Sequence, residues 1–476
     1  MLYLQQVNPC YCKPKKFKSS PPYNSMTSIT FYGGLREIGG NKFLLKDEKT
    51  NLFLDFGKNF AKEKLFFEDP YIMARDEKHL LNLGILPPVP GLYKNDQSSC
   101  TLDGILISHP HLDHYDGIRF CKDDFPIFCG EDTQCTILAR EFSSQSIASQ
   151  YNIANMTARN GKQIFKHFNT FQSGQHSTIG DISFQAYALD HSVPGAYGFI
   201  LETKAGTMVY TGDFRLHGTH KENTQTFLEK AQEAEPEVLL IEGTHVNECK
   251  LESEDEVKEK VGKITACTQN LVLAGFAVAD MDRIKTFYEV AKAHDRKLAV
   301  SAKQAYIIDS LCSQEHLGLF SLHDPHVIIF QRDKKRYSQY EKELQQKYSN
   351  IVQATEISHM QEEVILVASL YDMNEVAEIK PSPGSSYILS QSEPFNEEME
   401  ISHDKLANWL SYLGIPLYQA HASGHAGPHE LKDAITQISP KKVIPVHTER
   451  PELFKGFIAD LDVEIVMPGE AVEVIL

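Results

Sequence analysis

The sequence predicts an α/β protein in which one α/β domain is inserted into another. Three observations predict this class: strand-like runs fill residues 28–250, strands alternate with helices over 251–400, and a helix–strand ending occupies 401–476. A chain of 476 residues has room for about two to four domains and a large buried core. We therefore expect a first domain, interrupted near residue 250 and resumed near residue 400.

The first part of the chain carries short apolar runs that end at Gly, Asp, Asn or Pro, as strand boundaries require. These runs are SITFYG (28–33), KFLLK (42–46), NLFLDFG (51–57), GILIS (104–108), FPIFCG (125–130), ISFQAYALD (182–190), YGFILET (197–203), TMVYTGD (207–213) and EVLLIEG (237–243). Their density predicts a strand-rich first domain.

The pattern of predicted elements changes after about residue 248. KLESEDEVKEKVGKITACT is typical of a helix, LVLAGFA of a buried strand, and DMDRIKTFYEVAKAHD of a helix with apolar residues near helical spacing. Continued alternation of strand and helix predicts a small parallel α/β domain. After it, helices at 404–413 and 428–438 precede the strand KKVIPVH (441–447) and a final strand pair.

Composition excludes several classes of protein. Hydrophobic residues make up 42% and charged residues 23%, as in a soluble globular protein, and no apolar run approaches the roughly 20 residues of a membrane span. The net charge of −17 argues against extended, non-specific nucleic-acid binding. Bound metal ions and a local basic cleft can still attract phosphate against that background.

The N-terminus and the cysteines indicate an intracellular protein. Residues 1–27 are rich in Lys, Pro and Ser and lack a signal-peptide pattern, so we expect a disordered leader. Nine cysteines, an odd number scattered without a disulfide rhythm, fit the reducing cytoplasm.

The segment SHPHLDHYDG (108–117) follows a predicted buried strand and contains four candidate metal ligands. His109, His111, Asp113 and His114 form the pattern H-x-H-x-D-H. Such a short loop can aim alternate side chains into two adjacent coordination spheres. Imidazole and carboxylate suit zinc, and also manganese or iron.

One loop cannot complete two metal sites, so further ligands are expected at other strand ends. His191 in ALDHSVPG, Asp213 in VYTGDFR and His447 in VIPVHTE each end a strand. A lone strand-end histidine is more often a hydrogen-bonded surface residue. Together with the loop, however, they supply seven ligands, enough for two metals with a bridging Asp and a bridging water.

This set resembles the metallo-β-lactamase superfamily, and within it the β-CASP nucleases of the RNase J type. FYGGLREIGGNKFLL, LFLDFG with Asp55, TGDFR, LLIEGTH with Glu242, HASGHAG with His425 and VIPVHTE match family motifs over roughly residues 28–450. The resemblance implies an αββα sandwich interrupted by a β-CASP domain.

The resemblance also implies a role for each residue. His109, His111 and His191 would hold one zinc ion, Asp113, His114 and His447 a second, and Asp213 would bridge them. Asp55 would orient a loop or an imidazole. Asp113, Glu242 and His425 are the expected catalytic residues: Glu242 would orient His425, which would donate to a phosphate oxygen. His421 is expected to be structural, and Mn²⁺ is the alternative metal.

The implied activity is hydrolysis of single-stranded RNA, with 5′-exonucleolytic action favoured. Two metals ~3.5–4 Å apart suit a phosphodiester because they lower the pKa of a shared water and neutralise phosphoryl oxygens. Ser390, Gln391, Ser392, Ser423 and His425 are candidate phosphate contacts. The family segment G-S-Q-G-E-P reads LSQSEP here, so both of its glycines are replaced and the 5′ pocket is altered or absent.

Four alternatives stay open. A thioesterase or lactamase would not need the inserted domain, and a degenerate scaffold would have lost ligands. DNA-acting relatives typically carry Val where this chain has His447. An endoribonuclease without a 5′ pocket is the fourth.

No attached RNA-binding domain is visible in this sequence. RNA binding and the contacts of any homodimer are therefore expected to depend on the core. The candidate contacts to the RNA backbone are Arg283, Lys303 and the run RDKKR (332–336).

Overall fold

The computed structural model describes residues 26–68, 72–74, 76–144, 151–154, 156–157, 163–164, 166–248, 252–391 and 397–476. The predicted leader lies mostly outside these residues. Its last position does not behave as a leader, because Thr27 is buried and its hydroxyl donates to Asp47. None of the helices in the described part of the chain combines the length and the apolar character that crossing a bilayer requires.

The first part of the chain forms thirteen strands and five α-helices within the described residues. They are β1 (Ser28–Phe31), β2 (Phe43–Asp47), β3 (Thr50–Leu54), α1 (Phe60–Glu63), α2 (Glu77–Asn82), β4 (Gly104–Leu106), α3 (Leu112–Tyr115), β5 (Ile127–Gly130), α4 (Glu131–Ser144), β6 (Met156–Thr157), β7 (Gln163–Ile164), β8 (Phe168–Phe171), β9 (His176–Ile179), β10 (Ile182–Ala188), β11 (Tyr197–Thr203), β12 (Gly206–Tyr210), α5 (Lys221–Glu233) and β13 (Val238–Glu242).

The inserted domain, called the insert below, follows over residues 254–419. Its elements are α6 (Glu254–Cys267), β14 (Val272–Gly275), α7 (Met281–Ala293), β15 (Lys297–Ser301), α8 (Ala302–Leu311), β16 (Val327–Phe330), α9 (Gln339–Lys347), β17 (Ile351–Val352), α10 (Ala354–Ser358), β18 (Val364–Val367), α11 (Met373–Ile379), β19 (Ser386–Leu389), α12 (Glu397–Leu413) and β20 (Leu417–Gln419).

The chain then returns to the first domain and ends there. The closing elements are α13 (Pro428–Ile438), β21 (Lys442–Val446), α14 (Pro451–Phe457), β22 (Glu464–Ile465) and β23 (Glu473–Ile475).

Two sheets face each other in the first domain. Among the described residues one sheet has the order β23-β1-β2-β3-β4-β5-β8 and the other β22-β21-β13-β12-β11-β10-β9. An apolar cluster that includes Phe43, Phe184 and Tyr210 fills the space between them. Further clusters cover the outer faces, one beneath α5, α13 and α14. This is the predicted αββα sandwich.

The insert is a parallel sheet of order β17-β16-β15-β18-β14-β19-β20 with apolar clusters on both faces. Because both faces are covered, strands β14, β16, β18 and β19 are buried along their whole length, as in other α/β domains.

The second junction lies later than the predicted residue 400. Strand β20 pairs with β19 through Tyr387↔Leu417, and α12 is the crossover between these two parallel strands. Leu406 and Leu410 of α12 lie in the apolar cluster of the insert. The sequence did not reveal this because β20 has three residues, all of them exposed, and so lacks an apolar pattern.

Candidate metal centre

The loop after β4 brings the H-x-H-x-D-H side chains to one edge of the sandwich. Its backbone is held from the opposite loop: Gly57 N donates to Asn41 O, and Asn41 N donates to Asp113 O at 3.1 Å. A Cβ at Gly57 would lie 1.6 Å from Asp113 O, so only glycine allows this approach. Of the loop's ligand candidates, His109 and His114 are fully buried.

One group of predicted ligands meets around His111. His111 Nδ1 lies 3.1 Å from His109 Nε2 and 3.1 Å from His191 Nε2. Asp213 Oδ2 lies 3.4 Å from His109 Nε2. The ligand atoms of all four residues lie within 4.8 Å of one another, which a single cation can span.

A second group meets on the other side of Asp213. His447 Nε2 lies 3.0 Å from Asp113 Oδ2, and His114 Nε2 lies 3.7 Å from the same oxygen. Asp213 Oδ2 is 3.2 Å from His114 Nε2 and 3.8 Å from His447 Nε2. The structure thus brings all seven predicted ligands together, with one oxygen of Asp213 between the two groups.

Burial and neighbouring charges shift the pKa of several of these side chains towards the forms that bind a metal. Desolvation and the neighbouring histidines lower the pKa of His109 and His191, and desolvation lowers the pKa of His111 to about 3. The pKa of Asp113 and of Asp213 also falls, because the surrounding histidines outweigh the effect of burial. Neutral imidazoles and ionised carboxylates are the forms that bind divalent cations.

Asp55 holds His114 of the second group in place. Its Oδ2 lies 2.7 Å from His114 Nδ1 and also accepts from Ser108 Oγ (2.7 Å) and Tyr210 Oη (2.6 Å). The backbone at Asp55 has a positive φ of 57°, a conformation that L-residues rarely adopt. Its other oxygen accepts from Ser108 N at 2.7 Å, so both carboxylate oxygens are engaged by protein groups.

Glu242, Thr244 and two histidines form a linked set on the opposite side. Glu242 Oε2 lies 2.8 Å from His425 Nδ1 and accepts from the Thr244 hydroxyl at 2.7 Å. The same hydroxyl accepts from His447 Nδ1 at 2.8 Å. Burial alone would lower the pKa of His425, but the carboxylate of Glu242 outweighs this effect and raises the pKa to about 9. Glu242 therefore favours the protonated form of His425.

Comparison with known proteins places the chain in a family. Residues 86–278 match the model of the β-lactamase superfamily domain, and residues 417–468 match that of the Zn-dependent metallo-hydrolase RNA specificity domain. Among solved structures, a protein of unknown function from Enterococcus faecalis V583 shares the fold, with a TM-score of 0.74 and 20% identity over 95% of this chain and all of that one.

Several curated relatives carry one name. Ribonuclease J of Mycoplasma genitalium is 23% identical over 89% of this chain and 68% of its own length. Ribonuclease J of Helicobacter pylori is 23% identical over 94% and 59%, and that of Thermus thermophilus 24% identical over 88% and 67%. The present chain thus spans about three-fifths to two-thirds of the length of these relatives.

The chain belongs to the RNase J-like β-CASP family of the metallo-β-lactamase superfamily. The resemblance drawn from the sequence motifs is confirmed. The chain has the interrupted sandwich that the resemblance implies, and the predicted ligands lie together at strand ends.

Several predicted contacts to RNA are placed elsewhere by the structure. Ser390 is buried, where its hydroxyl donates to Ala420 O and accepts from Arg283. Arg283 is itself buried and pairs with Glu254 at 3.0 Å, so neither side chain faces a substrate. The sequence pattern missed this because a buried arginine and an exposed one look alike in the sequence of a helix.

Three other phosphate candidates have different outcomes. Ser423 is almost buried, and its hydroxyl accepts from His425 N at 3.1 Å. Ser392 lies outside the described residues. In the run 332–336, Arg332 pairs with Asp372 and Lys334 with Glu341.

His421 lies near Ser390 and Arg283, and in the described part of the chain it contacts neither group of predicted ligands. Burial and Arg283 lower its pKa to about 3, and its Nδ1 lacks a hydrogen-bond partner among the residues described.

Sequence reasoning missed Ser108, Tyr210 and Thr244, each of which positions a proposed ligand or its carboxylate partner. Thr244 follows Glu242 by two residues, and that short spacing after a strand end was the one available signal.

Proposed function

We propose that the chain is a metal-dependent ribonuclease that hydrolyses phosphodiester bonds of single-stranded RNA in RNA processing or decay. Two ions per chain are proposed, zinc first and manganese as the alternative. Support comes from the name that the curated relatives carry and from the RNA specificity domain matched over residues 417–468.

One observation carries the two-metal proposal. Asp213 Oδ2 lies 3.4 Å from His109 Nε2 in the first group and 3.2 Å from His114 Nε2 in the second. A carboxylate with ligand atoms of two groups around one oxygen fits a bridging ligand. The donor set, five imidazoles and two carboxylates, suits zinc or manganese.

The protein's own groups account for the remaining chemistry. Bound metal ions would supply Lewis acidity and an activated water. His425, held by Glu242, would give its proton to the leaving oxygen, since Glu242 raises its pKa to about 9. His191 is fixed by the hydrogen bond from its Nδ1 to Gly424 O at 2.5 Å, which also ties it to the loop that carries His425. Ligands and proton donor are therefore held by one connected set of loops.

We propose 5′-to-3′ exonucleolytic action, with internal cleavage as the second candidate. The specific observation that favours the second candidate is the engagement of Ser390 by Arg283 and Ala420, which removes one donor from the segment expected to bind a 5′-phosphate.

A time course on one RNA separates these modes. The RNA is 5′-labelled as a monophosphate or as a triphosphate and is run beside single-stranded DNA of the same sequence. We expect early release of mononucleotide from the monophosphate RNA alone. Internal fragments from both RNAs would establish the endonuclease, and cleavage of neither RNA by metal-loaded protein would refute the proposed function.

A further inference from the structure

Arg140 and Lys303 form a pair of cations where the two domains meet. Arg140 lies in α4 of the first domain, and Lys303 lies in the first turn of α8 of the insert. Both side chains are partly buried, and neither forms an ion pair with a carboxylate among the residues that the structure describes. In a chain with a net charge of −17, two cations left without an acidic partner are unexpected.

The packing of α4 on α8 places these cations at the domain seam. Phe142 and Tyr306 stack across the two helices with centroids 5.5 Å apart and an interplanar angle of 22°. Ala139, next to Arg140, lies in the same apolar cluster as Ala305 of the insert. Arg140 and Lys303 therefore occupy neighbouring turns of helices that are held together by buried apolar contacts.

The two charges act on each other. Burial and Arg140 lower the pKa of Lys303. The acidic neighbour Glu141 raises the pKa of Lys303 but does not offset the lowering, and its Oε1 accepts from Tyr115 Oη and Arg119 at 3.1 Å each. Like charges in a partly desolvated site destabilise each other, and an anion bound between them would reverse this effect.

The seam adjoins the loop after β4 (residues 108–117), called the metal loop below because it carries four of the proposed ligands. Arg140 Nη1 donates to Pro110 O at 2.5 Å, and Pro110 stands between the proposed ligands His109 and His111. An anion bound by the pair would therefore lie beside the metal centre.

We propose that Arg140 and Lys303 together bind a backbone phosphate of the substrate strand other than the phosphate of the bond that is cleaved. This inference rests on the proposed function, since it takes the anion to be a phosphate of single-stranded RNA. The strand would cross from the first domain to the insert at this seam, so that one contact fixes its path past the metal loop.

The test is equilibrium binding of a labelled ten-nucleotide RNA to the full chain in EDTA, measured over a series of salt concentrations. Lys303→Gln is the informative variant, because Arg140 also holds the metal loop. We expect the affinity for RNA to fall about ten-fold. A plot of log binding constant against log salt concentration should be shallower by about 0.7, the value for one lost phosphate contact on a single strand. Lys303→Arg should restore the slope.

Controls separate this inference from the proposed function. Lys342→Gln removes an exposed lysine of the insert and should match wild type. Single-stranded DNA should show the same loss, because the contact is to phosphate. A Lys303→Gln slope equal to that of wild type, or a loss confined to RNA, overturns the inference. Wild-type protein that binds RNA but never cleaves it when metal-loaded overturns the proposed function instead.

Discussion

At the scale of single residues, the candidate site depends on side chains that touch its ligands from outside. Asp55 fixes His114, Gly424 O fixes His191, and Thr244 fixes His447. Such contacts set which imidazole nitrogen is left for the metal and how the ring is turned. The Thr244 hydroxyl has a second partner in Glu242, so it couples a proposed ligand to the carboxylate that holds His425.

Thr244→Val should weaken metal binding. The methyl group keeps the volume but leaves His447 Nδ1 and Glu242 Oε2 without their shared partner. We expect a loss of about 10–100-fold in metal affinity, the usual cost of removing such an outer contact, measured by competition with a chromophoric chelator. Thr244→Ser, which keeps the hydroxyl, is the control, and equal affinities in all three proteins would rule out this role.

At the scale of elements, the connection between β1 and β2 lies against the metal loop and encloses a lysine. Lys42 is fully buried just before β2, and its ammonium donates to Gly40 O at 3.1 Å. Burial lowers its pKa to about 8 despite the nearby Glu37. Asn41, between these two residues, donates to Asp113 O, so this connection supports the metal loop at some cost in stability.

Lys42→Met should stabilise the protein at pH 7. Below pH 8 the folded state must hold a buried charge that the unfolded chain keeps in water. A pKa lowered from 10.5 to about 8 corresponds to roughly 3 kcal/mol, of which the lost hydrogen bond removes about 1. Wild-type stability should rise as the pH rises from 8 towards 10.5, so the advantage of the variant shrinks over that range.

Urea unfolding at pH 7 and pH 9.5 measures this difference. Lys46→Met, at an exposed position on β2, should show no such pH dependence. An advantage for Lys42→Met that is constant with pH would mean that the effect comes from packing and not from the charge.

The elements also show where sequence reasoning succeeds. Strands such as β11 (Tyr197–Thr203) were predicted to the residue because a long, buried strand gives a continuous apolar run. The sequence also identified the His and Asp residues that the structure brings together, because such residues are conspicuous at strand ends, and their binding of metal stays a prediction. Strand β20 and the burial of Arg283 were not found, because both depend on partners distant in sequence.

At the scale of the whole molecule, one arginine joins the metal-bearing loops to the insert. Arg215 is buried and donates from Nε to Asp190 at 2.9 Å, from Nη1 to Glu254 at 2.9 Å, and from Nη2 to Asp282 at 2.7 Å. It also donates to Ser423 O at 3.0 Å. Two of these partners lie in helices α6 and α7 of the insert, and two lie beside His191 and His425.

Arg215→Lys should loosen the two domains from each other. An ammonium cannot reproduce the planar fork, so at least one of three buried carboxylates is left unpaired. We expect a loss of about 3 kcal/mol in the free energy of unfolding, measured by urea denaturation. Arg36→Lys, at an exposed pair with Glu452, should change it by less than about 0.5 kcal/mol. Equal losses in both variants would contradict this account.

The order of the ligands along the chain has a consequence for biosynthesis. Asp113 and His447, which meet at 3.0 Å, are 334 residues apart in sequence. A ribosome must therefore translate the entire insert before the last proposed ligand leaves the exit tunnel. The nascent polypeptide therefore cannot bring its second group of proposed ligands together until every residue between Asp113 and His447 has been made.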